Sequence, residues 1–120
     1  IMVLVTPAGI HLTAALQTVV LIMGTNDRAG VSETVQVICY SLAPLAFLGV
    51  PSVWVKAAVV LWAGGLFVYG IATVHGVRPV RALVLAGAPA LMLVGYGFGG
   101  NAHVVAAGEQ AVAAIERILG

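Results

Sequence analysis

The side chains equipped for chemistry in this sequence sit inside runs that are otherwise apolar. His11 and Gln17 lie within Ile1 to Gly24, a stretch without a single charge. An imidazole there is a candidate axial ligand to haem or chlorophyll, because a neutral ring nitrogen is a common metal ligand, and Gly9, Thr13, Ala14 and Ala15 leave room beside it. The favoured role for His11, as for Gln17, is a hydrogen bond to a neighbouring helix, since polar side chains commonly tie membrane helices together. Tyr40, Ser41, Tyr69 and Thr73 form a second polar set. Tyr69 and Thr73 are four apart and share a helix face, from which they could meet Tyr40 and Ser41 across a turn marked by Pro44 and Pro51. A substrate or ion site would ordinarily add a buried carboxylate or a histidine relay. Every Asp and Glu here is expected in a loop or on the C-terminal helix, so structural hydrogen bonding is the role expected of the set. His75, at a span end, is expected to satisfy terminal carbonyls or face headgroups, and His103 to be solvated.

Reactions of other kinds find little support. Gly95, Gly97, Gly99 and Gly100 do not make a dinucleotide fingerprint without flanking strands, and the Ser, His and acidic residues are too scattered for a hydrolytic set. Cys39 is the only cysteine, which excludes an intrachain disulfide and a cysteine metal cluster. No enzyme activity, metal site or resident cofactor is expected, haem or chlorophyll on His11 being the one alternative.

The elements that position these groups follow from composition. With 62% hydrophobic and 8% charged residues, the chain has too few polar groups to coat a soluble domain of 120 residues. A net charge of +1 gives no basic footprint for nucleic acid. The fold class expected is all-α: a polytopic membrane bundle of about four transmembrane helices and a C-terminal amphipathic helix. About twenty apolar residues cross the hydrocarbon as a helix, which places the spans near 1–24, 34–50, 53–75 and 82–97, a bundle domain over 1–100. Ser32 or Thr34 can cap the second span, Pro44 should kink it near Tyr40 and Ser41, and Gly64, Gly65 and Gly70 offer close helix approach. Residues 101–120 alternate between two faces, with Val104, Val105, Val112 and Ile115 on one and Glu109, Gln110, Glu116 and Arg117 on the other. This is an amphipathic helix, with Asn101 as its N-cap, expected along the membrane surface or against a partner. A bent continuation of the fourth span is the alternative.

Basic residues set the expected orientation. Arg28, Arg78 and Arg81 fall on one side and Lys56 with Arg117 on the other, which puts loops 25–33 and 76–81 in the cytoplasm. The start IMVLVTP, without an initiating Met or polar leader, suggests a missing N-terminal portion.

The pattern QVICYSLAP from Gln36 to Pro44, Pro51 at the turn, Gly70, then Thr73-Val74-His75-Gly76 ahead of Arg81-Ala82 resembles the YIP domain family of polytopic membrane proteins. The likeness runs from about Pro7 to Pro89. It implies five spans with a cytoplasmic N-terminus, of which this chain would hold the second to fifth, in agreement with the orientation from the arginines. Eukaryotic relatives act in vesicle trafficking with small GTPases through cytoplasmic portions that this chain lacks, so that role does not carry over. The Gly, Ala and Val richness suits a prokaryotic inner membrane. The function expected is a non-catalytic accessory or scaffold subunit, partnered by the bilayer and by other membrane subunits or copies of itself. The alternatives are a haem- or chlorophyll-binding subunit of an energy-converting complex through His11, and a small transporter.

Overall fold

A computed structural model describes residues 2–26 and 29–120, with no strand among them. Arg28, which the charge count used, lies outside the described residues. Among the described residues five α-helices follow one another: α1 Met2–Gly24, α2 Val31–Ser41, α3 Val53–Val74, α4 Pro79–Ala90 and α5 Gly100–Leu119. A 3-10 helix, Ala43–Gly49, prolongs α2, and a π-helical stretch, Leu91–Gly97, prolongs α4. Among the described residues four helical segments are long and apolar enough to cross a membrane: Leu4–Gly24, Val31–Gly49, Val53–Val74 and Pro79–Gly97. The chain is a helical membrane protein.

Prolines set where the helices change character. Pro44 cannot donate to a carbonyl one turn back, and α2 accordingly stops at Ser41, the next turn tightening to 3-10 from Ala43. Pro79 sits in the first turn of α4, where a missing N–H costs nothing, so the fourth span begins three residues before Ala82. At the end of α3 the chain leaves through Gly76, whose φ of 62° is the left-handed conformation that glycine tolerates. The Val77 N–H then reaches Ala72 O at 3.0 Å, closing a Schellman turn.

α1 packs on α2 and α4, and α3 packs on the same two, so the four spans form a ring with α1 and α3 across the diagonal. Phe67 and Ile71 of α3, Val37 and Ile38 of α2, Ala14 and Leu21 of α1, and Ala82 and Ala86 of α4 fill its centre. Alanines on α4 keep that helix close to its neighbours. Gly70 does the same for α3, since an added Cβ would stand 2.6 Å from Val37 Cγ1 on α2.

The start of α5 differs from the cap expected at Asn101. Gly99 takes φ 68°, bends the chain, and serves as N-cap without a side-chain hydrogen bond. Gly100 is the first helical residue, where a Cβ would meet Val60 Cγ1 and Val94 O at 2.6 Å. Close contact of Gly100 with the Val60 side chain of α3 and with Val94 O therefore fixes the helix start two residues earlier than a cap at Asn101 would. From Val60 the helix runs toward the beginning of α3, where His103 and Gln110 share a cleft with Pro51, Trp54 and Lys56.

Candidate functional site

Between α3, α4 and α5 lies an open apolar groove of about 660 Å³. Its floor is made by Gly64 and Gly65 of α3 and Gly87 of α4, and its walls include Leu61, Leu83 and Val104. A Cβ added at any of the three glycines would meet nothing within 4 Å. Gly64 and Gly65 therefore do not serve packing within this chain; Gly70 does, against Val37. The groove extends along α3 from Val60 to Tyr69, roughly 14 Å of helix at 1.5 Å per residue.

Gln17 holds the opposite side of the bundle together. Its side chain is fully buried, and Nε2 donates to Leu85 O on α4 at 3.3 Å. That carbonyl is four residues before Pro89, whose ring nitrogen has no proton to give it, and Pro89 lies inside α4. The interhelical bond thus supplies a donor where the helix cannot. Gln17 Oε1 is buried without a partner among the described residues.

His75 is buried, 4% exposed, and its ring nitrogens bond the α1–α2 connection and α2, not the terminal carbonyls of α3. The Ala29 N–H donates to Nδ1 at 3.1 Å, so the proton of the neutral ring sits on Nε2 and reaches Thr34 Oγ1 at 3.1 Å. The Thr34 hydroxyl in turn donates to Gly30 O at 3.3 Å. This relay ties the end of α3 to the α1–α2 connection, and it changes the role expected of Thr34. Gly30, in extended conformation, is the N-cap of α2, and Ser32 Oγ donates to Glu33 Oε2 instead. Burial holds the His75 pKa below its ordinary value, with the nearby Glu33 charge pulling the other way.

The four hydroxyl residues meet only in part. Tyr40, Ser41 and Tyr69 line one groove of about 340 Å³ between α2 and α3, together with Glu33 and Gln36. Both tyrosines are largely exposed. Ser41 donates to Ile38 O at 2.8 Å and Thr73 to Tyr69 O at 2.9 Å, each within its own helix. Thr73 does not line the groove, whereas the Glu33 carboxylate, expected in a loop, opens the first turn of α2.

His11 is exposed on α1, with Nδ1 2.8 Å from Pro7 O. A carbonyl only accepts, so Nδ1 carries the proton and Nε2 is the nitrogen with a free lone pair. Among the described residues no group of three or more His, Cys, Asp or Glu converges as a metal site.

The fold and these contacts define a helical membrane protein with one glycine-floored groove and a buried polar tie at each side of the bundle. No family model, curated protein or solved structure matches the chain.

Proposed function

We propose that this protein is a non-catalytic accessory or scaffold subunit that receives a transmembrane helix of another subunit, or of a second copy, in the groove over Gly64, Gly65 and Gly87. The observation that supports the reading is the open space above all three glycines. An acyl chain fills any apolar groove, but only a helix gains from a floor without side chains, because it allows backbone to approach backbone. α5, amphipathic and buried only at Gly100 and Ala107, runs from beside Val60 toward the start of α3 and reaches the membrane surface there in this reading. Loops 25–33 and 76–81 face the cytoplasm of a prokaryotic cell, and the YIP-like pattern is that of a family of such polytopic proteins.

The test is the size of the detergent-solubilised protein by blue-native electrophoresis or mass photometry. Wild type should run as a complex, Gly65→Leu should shift it toward monomer, and Ala58→Leu, on exposed α3 surface outside the groove, should leave it unchanged. A monomer in every case refutes the scaffold reading and returns weight to a self-contained small transporter.

A second reading rests on the His11 geometry. Histidine ligands to metals usually donate their other N–H to a carbonyl or carboxylate, and Nδ1 of His11 does so to Pro7 O. An exposed Nε2 on α1 would then ligate a haem or chlorophyll shared with a partner subunit. A Soret or chlorophyll band in the purified protein, lost in His11→Ala, would establish it; a colourless complex would dismiss it.

A further inference from the structure

Where α1 ends and α4 begins lies an open cleft of about 1010 Å³, with the buried His75 in its lining. Arg78 and Arg81, three residues apart, stand at its rim, and Val80, Val84 and Leu85 continue it down the side of α4. Arg81 donates through Nη2 to Gly24 O, the last carbonyl of α1. This anchors the guanidinium at the cleft through one of its five N–H donors. Arg78 is the N-cap of α4 by its backbone, makes no side-chain cap, and is exposed. The free N–H groups of that helix start add positive potential. Glu33, Glu109 and Glu116, the acidic residues among those described, do not line the cleft.

Below this polar rim the surface is hydrocarbon. Val80 and Val84 are 77% and 76% exposed, and four-residue spacing stacks them on one face of α4. We propose that the cleft binds the phosphate of an anionic phospholipid, with Arg78 and Arg81 on the headgroup and an acyl chain along Val80 and Val84. Guanidinium forks match phosphate oxygens in paired hydrogen bonds, and basic recesses between transmembrane helices suit anionic headgroups. The apolar strip distinguishes the lipid from free phosphate, which would use the arginines alone. A zwitterionic headgroup brings its own cation to the rim and gains less.

Native mass spectrometry of the full chain in mild detergent tests this, with phosphatidylglycerol and phosphatidylcholine of identical acyl chains titrated separately. The expected result is tighter retention of phosphatidylglycerol. Arg78→Gln, which removes a side chain that bonds no other among the described residues, should weaken it about five-fold, and Arg78→Lys should keep most of it. Equal retention of the two lipids overturns the proposal, as does unchanged phosphatidylglycerol binding in Arg78→Gln. Displacement of phosphatidylglycerol by millimolar inorganic phosphate would show a free-phosphate site and overturn the lipid assignment. The two wild-type comparisons do not depend on how the variants fold.

Discussion

Replacing Gln17 and Pro89 singly and together should reveal a coupling that neither substitution shows alone. Pro89 deprives Leu85 O of its intrahelical donor, and Gln17 Nε2 stands 3.3 Å from that oxygen. The distance is long for an N–H···O bond. Interhelical hydrogen bonds in a membrane average about 0.6 kcal/mol and reach about 1.7, so the lower end applies. Gln17→Leu removes this bond, but it also removes Oε1, which is buried without a partner among the described residues and carries a desolvation cost of about 1–3 kcal/mol. The two changes oppose each other. On these figures the single substitution should stabilise the protein by about 0.4–2.4 kcal/mol, a net value that says little about the bond.

Pro89→Ala changes the background. An alanine N–H at position 89 can serve Leu85 O from within α4, which makes the Gln17 donor redundant. Loss of Gln17 should then be more favourable, or less costly, in the Pro89→Ala background by about 0.6 kcal/mol. Steric trapping or graded unfolding in mixed micelles of the wild type, both singles and the double variant measures the cycle. Isotope-edited infrared spectra of a labelled Leu85 carbonyl give a local readout: Gln17→Leu should raise its stretching frequency with Pro89 present and leave it nearly unmoved once Pro89→Ala has been made. Additive effects in the cycle, together with an unmoved carbonyl in the Pro89 background, would refute the reasoning.

Two further outcomes follow from the geometry. Gly70→Leu places a side chain where even a Cβ stands 2.6 Å from Val37 Cγ1, so it should destabilise the monomer by about 1–3 kcal/mol, the usual cost of overpacking. Gly65→Leu should leave monomer stability intact; equal unfolding curves for Gly70→Leu and wild type would contradict the packing described. His75 is held neutral in the folded state, its pKa below the ordinary 6.5. As pH falls past that value the unfolded chain takes up the proton first, so stability present above about pH 6.5 should be lost progressively toward the lowered folded pKa. Melting temperatures between pH 7.5 and 5 should show this loss in the wild type and not in His75→Gln; parallel profiles would refute the role of the ring.

The spans were legible because lipid demands long runs without charge, and the sequence breaks those runs with Pro, Gly and polar residues. Their ends were less so, because helix starts here are set by tertiary contacts. α2 opens at Val31 with Gly30 as cap, and Thr34 is drawn to His75, 41 positions away. The glycines divide in the same way: Gly70 and Gly64 look alike in the chain, and only the position of Val37 separates a packed glycine from an open one. Hydroxyls were ambiguous for another reason. Thr13, Thr18 and Thr73 bond the carbonyl four residues back, a bond available in any helix, so their presence in a span does not announce a partner.

Gln17 illustrates how far such reading can go. Pro89 alone implies an orphan carbonyl at Leu85, since in lipid no water can supply the missing donor, and that need is written in the sequence. Which side chain meets it depends on α1 lying beside α4, a fact of the ring and not of either segment. The same division applies to function. A buried polar group whose partners lie within the bundle, such as His75, is accounted for by the fold. The features that the fold leaves unused, the floor of Gly64, Gly65 and Gly87 and the arginine rim over Val80 and Val84, are where contacts from outside the chain belong.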